Sequence, residues 1–185
     1  MTLSRRNTFL IGLALIVATA LIELAMGREP ICKCGVVRFW GEANSPENSQ
    51  QIADWYTPSH IVHGLLFYAV SGLIPGLHLR WRLLLAIFVE VAWEITENSS
   101  WIIDRYREAT IALDYYGDSV LNSVSDVLAM LLGFWLASRL PVWASVLTVI
   151  GLELLALAVI RDNLTLNVLM LLHPLDSIRQ WQSGG

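Results

Sequence analysis

The residues of this chain best equipped for chemistry are acids and imidazoles set in apolar surroundings. The run Glu90-Val-Ala-Trp-Glu94-Ile-Thr-Glu97-Asn98 closes an apolar stretch that begins at Trp81. On a helix, with about 100° between residues, Glu90, Glu94 and Glu97 fall within about 60° of one another and form one stripe. A carboxylate near the centre of a bilayer costs roughly 2.5–3.5 kcal/mol on insertion scales, so several on one face require partners. The neighbouring segments offer them: His60 and His63 before this run, Asp118, Asn122 and Asp126 after it. We expect these side chains to meet in one polar pocket inside an apolar bundle.

Three kinds of function fit such a pocket. In a structural or accessory protein, which the sequence slightly favours, carboxylates bonded to Asn, Ser and His specify how helices pack. In a metal-dependent enzyme, His60, His63, Glu94, Glu97 and Asp118 form a mixed imidazole and carboxylate set suited to Zn²⁺, Fe or Mn²⁺. A metal there lowers the pKa of a bound water, and Glu90 or Asp126 is the candidate base for hydrolysis of a lipid or lipid-linked substrate at the outer headgroup plane. In a binding or translocation site, Arg105 and Arg107 at the rim hold a lipid phosphate, with Asn98 and Asn122 in the polar wall. No nucleophile motif, phosphate-cradling glycine loop or dinucleotide fingerprint accompanies them.

Composition supplies the setting. The chain has 185 residues, 55% hydrophobic and 15% charged, against about 25% charged in soluble domains. That makes it a single all-α membrane domain over residues 1–185. A net charge of −4 without a basic cluster argues against nucleic acid and leaves membrane lipid as the expected partner. Protein partners stay open, and an oligomer is compatible.

About five spans are legible, at residues 9–26, 58–76, 82–98, 118–138 and 142–160, followed by an interfacial tail at 164–182. Ala18-Thr19-Ala20 also imitates a cleavage site, the rival reading of the first span. Residues 27–57 form an outer loop, whose run from Asn44 to Gln51 has loop chemistry. That loop holds Cys32 and Cys34, which suit a disulfide, half a metal site or two free thiols. Residues 99–117 read as a polar link.

Orientation follows from where the cations crowd. Arg5, Arg6, Arg80, Arg82 and Arg139 occupy short segments free of acids, which places the N-terminus inside. The His60, Glu97 and Asp118 ends then face outward. Glu90 lies roughly 10 Å below Glu97, and Asp126 roughly 12 Å below Asp118, by helical rise. The polar residues form a funnel open to the outer face, with Glu90 and Asp126 as a facing pair at its bottom.

Glu90-x-x-Trp93-Glu94-x-x-Glu97-Asn98, Tyr116-Gly117-Asp118-x-x-x-Asn122-x-x-x-Asp126 and the Asn163-Leu164-Thr165-Leu166-Asn167 tail together resemble a multi-pass inner-membrane protein family of alphaproteobacteria that has no assigned activity. The resemblance covers nearly the whole chain. It implies the bacterial inner membrane, where the orientation read from the cations puts the N-terminus in the cytoplasm and the C-terminal tail in the periplasm. The chain is also distantly similar to the teicoplanin-resistance (VanZ-like) proteins, where Arg105 and Asp126 match and Met130 stands in place of the Asn that usually follows the Asp.

Overall fold

Helix boundaries follow the punctuation of the sequence. In the computed structural model, which describes residues 3–42, 45, 47–112 and 114–184, the regular elements are eight helices and one isolated bridge, Trp40 with Ala53. Asn44 and Pro46, part of the expected loop run, lie outside the described residues. Helix α1 (Arg5–Ala25) starts at Ser4, whose hydroxyl accepts from the Asn7 N–H. α2 (Thr57–Gly72) has Pro58 in its first turn, where the missing N–H is harmless. α3 (Leu79–Glu97) carries the acidic stripe. Ser99 and Ser119 cap α4 (Ser100–Ala109) and α5 (Val120–Ala137). α6 (Val142–Ile160) ends on Arg161 in the left-handed region, and Asn163 caps α7 (Leu164–Leu172). α8 (Asp176–Gln182) is one short amphipathic piece.

Three of these helices, α1, α5 and α6, are long and apolar enough to cross a membrane. This composition marks the chain as a membrane protein. α2, with 16 residues, is short by that measure, and α3 carries Arg80, Arg82 and three glutamates. The expected second span reached residue 76, but α2 stops at Gly72. Pro75 disfavours helical geometry at the residue before it and forces the turn early. Residues 100–109, expected as part of a polar link, form α4 instead. Ile102, Ile103, Tyr106 and Ala109 line its buried face at helical spacing.

Small residues set the central contact. α2 and α5 form the most extensive helix pair, and they run in the same direction, since Thr57 meets Asp126 and Tyr68 meets Phe134. A methyl group added at Gly64 would land on the Met130 carbonyl, and one at Gly133 on the Ile61 carbonyl. Backbones approach this closely in membranes because small residues permit it. α3 returns antiparallel along α2, with Arg82 bonded to Ser71 and the Tyr68 carbonyl at one end and Glu90 facing His60 at the other. α1 lies beside α3, Gly12 against Ile87. Leu84, Ala86, Ile87, Val91, Val127, Met130 and Phe134 fill the core between these helices.

Candidate functional site

One turn before Gly64 on α2, His60 is held at both ring nitrogens. Its Nδ1 lies 2.7 Å from Glu90 Oε1 and 3.4 Å from Glu94 Oε1, while Nε2 lies 3.8 Å from Asp126 Oδ2. His63 Nδ1 lies 3.0 Å from the other oxygen of Glu90. Two imidazoles on α2 therefore converge on one carboxylate of α3 that is 0% exposed. Ligand atoms of His60, His63 and Glu90 all lie within 4.8 Å of one another.

A second group adjoins the first. Ligand atoms of Glu94, Glu97 and Asp118 also lie within 4.8 Å of one another. Tyr106 donates its hydroxyl to Glu97 Oε1 at 2.8 Å, Tyr115 donates to Asp118 Oδ1 at 2.9 Å, and Asn98 Nδ2 donates to Asp118 Oδ2 at 3.0 Å. Glu94 is 1% exposed, and neither of its oxygens has a hydrogen-bond partner, the 3.4 Å approach of His60 being an ion-pair contact only.

The chain builds this geometry from several directions. Gly117 has φ +93, and its missing side chain leaves room for Asn98 Oδ1 and the Arg28 guanidinium. Any side chain there would displace the turn that aims Asp118. The loop before α2 folds over the start of α5: the N–H groups of Ser119, Val120 and Leu121 donate to the carbonyls of Ser49, Glu29 and Pro30. Those bonds satisfy N–H groups that a helix start leaves open, and Asn122 and Gln50 add side-chain N–H bonds to the Gln51 and Gly117 carbonyls of the loops. A relay then fixes His60. The Asp54 N–H donates to Thr57 Oγ1, and Thr57 donates to Asp126 Oδ1 at 3.2 Å.

A cavity of about 60 Å³ opens beside both groups, lined by His60, Glu97, Asp118 and Asp126 and, on its outer side, by Tyr56 and Asp162. That volume accommodates several waters. Burial pushes Asp162 up to about 6. Burial, reinforced by the Glu97 carboxylate at Tyr106 and the Asp118 carboxylate at Tyr115, holds both hydroxyls well above the usual tyrosine range, so they act as donors.

Several sequence expectations change here. The five residues expected as one ligand set divide into two groups, and Glu90, expected as a base, joins the histidines. Glu90 and Asp126 do not pair directly, because the His60 ring stands between them. Arg105 and Arg107 do not line the cavity. Helix α4 turns Arg105 onto the Leu171 carbonyl and Arg107 onto the Tyr115 carbonyl and Asp104. Asn98 bonds to Asp118, while Asn122 donates to the Gln51 carbonyl and also lines the cavity. Cys32 and Cys34 are joined as a disulfide, with Glu47 nearby.

Residues that sequence reasoning left out are Asp54, Thr57, Tyr106, Tyr115, Asp162 and Glu23. Glu23 was legible as the single acid in an apolar span. It is 0% exposed, with neither oxygen hydrogen-bonded.

Residues 23–184 match the family described as protein of unknown function (DUF2585). A UPF0314 protein of Paracoccus denitrificans is 64% identical over 179 residues, covering 96% of this chain and 91% of that protein. One from Rhizobium etli is 54% identical over 178 residues, covering 95% and 91%. One from Sphingopyxis alaskensis is 53% identical over 182 residues, covering 97% of each. No solved structure matches the chain. Matched along nearly its whole length by the family and by these alphaproteobacterial relatives, the chain belongs to the DUF2585 family.

Proposed function

We propose that this chain is a multi-pass inner-membrane protein that binds a divalent metal on His60, His63 and Glu90 and uses it in hydrolysis at the outer headgroup plane. The observation that carries this reading is the convergence of two imidazole Nδ1 atoms on one fully buried carboxylate, beside a cavity that accommodates water. Imidazole and carboxylate are the donor set of Zn²⁺, Fe and Mn²⁺. His60 carries the support such ligands have elsewhere: with Nδ1 turned to the metal, Nε2–H faces Asp126, which fixes the ring and raises its basicity. Asp126 is then a positioning residue. Bound there, the metal would supply Lewis-acid polarisation of water or a substrate oxygen, with Glu94 buried beside His60 and free of hydrogen bonds. Substrates are lipid or lipid-linked, entering past Tyr56 and Asp162.

In this proposal five helices cross the bilayer with the N-terminus in the cytoplasm. α2 and α3 cross inside the shelter of α1, α5 and α6, their polar residues turned toward each other. The dense, acid-free cations near Arg5, Arg80 and Arg139 support that orientation, which puts the site and the C-terminal helices on the periplasmic side. The distant likeness to VanZ-like proteins enters only through Asp126, since Arg105 is bonded to α7.

A purely structural or accessory role is the second reading. It is favoured by Glu90, whose two oxygens are both satisfied by imidazoles without any ion. Elemental analysis of detergent-purified protein separates the two. Under the metal reading, wild type retains at least one equivalent of zinc, iron or manganese, and the His60→Ala/His63→Ala double variant loses it. Wild type that stays metal-free after reloading with ZnCl₂ or MnCl₂ refutes the metal reading in favour of the structural one.

A further inference from the structure

Glu94 lacks every ordinary means of burying a charge. Its carboxylate is 1% exposed, receives no hydrogen bond and sits within 4.8 Å of ligand atoms of Glu97 and Asp118. Unpaired polar groups at such depth are rare in folded proteins. Its two companions, by contrast, are aimed. Tyr106 orients Glu97, while Tyr115 and Asn98 take one oxygen each of Asp118. No arginine or lysine bonds to the three carboxylates among the described residues. Glu23 on α1 is a further fully buried acid without a hydrogen-bond partner. Two ligands held by donors and one left bare is the arrangement of a site waiting for a cation.

We propose that Glu94, Glu97 and Asp118 bind a second divalent ion beside the first, making this a two-metal centre bridged by Glu94. The bridging position follows from Glu94 Oε1 lying 3.4 Å from His60 Nδ1 while its carboxylate belongs to the acidic group. The ligand chemistry separates the two ions. The histidine group is the borderline site, suited to zinc or iron, and the all-oxygen group is the hard site, suited to Mn²⁺ or Mg²⁺. Bundles elsewhere build paired metal sites from glutamates and histidines on facing helices. Paired ions about 3.5–4 Å apart hold both the attacking and the leaving oxygen of a displacement at phosphorus or carbonyl carbon. This inference rests on the metal reading of the histidine group, and its test distinguishes failure of one from failure of both.

The experiment strips the detergent-purified chain with a chelator, reloads it with MnCl₂ and reads both stoichiometry and the electron paramagnetic resonance of Mn²⁺. Two equivalents per chain with an exchange-coupled spectrum are expected. Glu97→Gln combined with Asp118→Asn should drop the content to one equivalent and convert the spectrum to that of an isolated ion. One equivalent in wild type, removed only by the histidine variants, overturns the second site and leaves the first. Two equivalents that survive the carboxylate substitutions overturn it as well, by placing the second ion elsewhere. No bound manganese and no bound zinc would overturn both. The wild-type spectrum is decisive even where a variant fails to fold.

Discussion

The two ends of the α2–α3–α5 bundle are built on opposite principles. At the Tyr68 end, backbones touch: Gly64 and Gly133 admit the backbone of the facing helix, Tyr68 packs edge-on against Phe134, and Arg82 lies over the Tyr68 ring at 4.3 Å. Arg82 also donates to Ser71 Oγ and to the Tyr68 carbonyl. At the His60 end a cavity remains, three carboxylates, Glu90, Glu94 and Asp126, gather around two imidazoles, and Glu94 is left without a hydrogen bond. The tight end sets the helix register, and the open end uses it. His60 sits one turn from Gly64, and Asp126 one turn from Met130, so a contact between backbones decides which side chains meet.

The sharpest way to break this comparison is to spoil the tight end. Gly64→Val places two methyl groups into the Met130 and Gly133 backbone, where nothing can yield. Overpacking of this kind costs about 3 kcal/mol or more. Thermal unfolding in detergent should therefore move far down or leave no monodisperse protein, with metal binding lost alongside. Wild-type stability in this variant would mean that the register is set elsewhere.

A smaller effect is expected at the open end from Asp126→Asn. Asparagine keeps the bond from Thr57 but removes the charge behind His60. Metal affinity, read by competition with a chromophoric chelator, should fall about 10- to 100-fold with little change in unfolding temperature. An unchanged affinity would remove Asp126 from the site's support.

How much of this was readable in advance follows from the same contrast. The acidic stripe and its histidine and aspartate partners were legible because helical spacing alone puts them on faces, and burial of charge demands that the faces meet. α1, α5 and α6 were legible as apolar runs. What periodicity cannot supply is which side chain answers which. The Gly64–Gly133 contact places His60 between Glu90 and Asp126, so the expected carboxylate pair never forms. Arg105 and Arg107 drew attention as free cations near a rim, but α4 is a helix, and its buried stripe of Ile102, Ile103 and Tyr106 turns those arginines away. Tyr106, lying between them, is the residue that reaches Glu97. Glu153 is the single charge within the apolar run of α6. Its carboxylate accepts from the Leu164 and Thr165 N–H groups and closes the start of α7.

The smallest expected effect concerns the mouth of the cavity. Burial raises the Asp162 carboxyl to about 6, so the folded state holds a proton that the unfolded chain has already released. Stability from this group therefore grows as pH falls from 7 through 6 toward 4, and its ionisation is a cost above 6. The unfolding temperature of wild type minus that of Asp162→Asn should rise on acidification across that window. A difference that is flat, or that falls, would mean the carboxylate is stabilised where it stands.

The central claim is that the open end is open for an ion. X-ray absorption at the zinc edge, on chain reloaded with one equivalent of ZnCl₂, tests it most directly. The account predicts nitrogen and oxygen neighbours at about 2.0–2.2 Å with the outer-shell scattering of two imidazoles, both lost in the His60→Ala/His63→Ala variant. A spectrum dominated by sulfur at about 2.3 Å would assign the ion to Cys32 and Cys34, and a spectrum of hydrated zinc would deny the site altogether; either result contradicts the account.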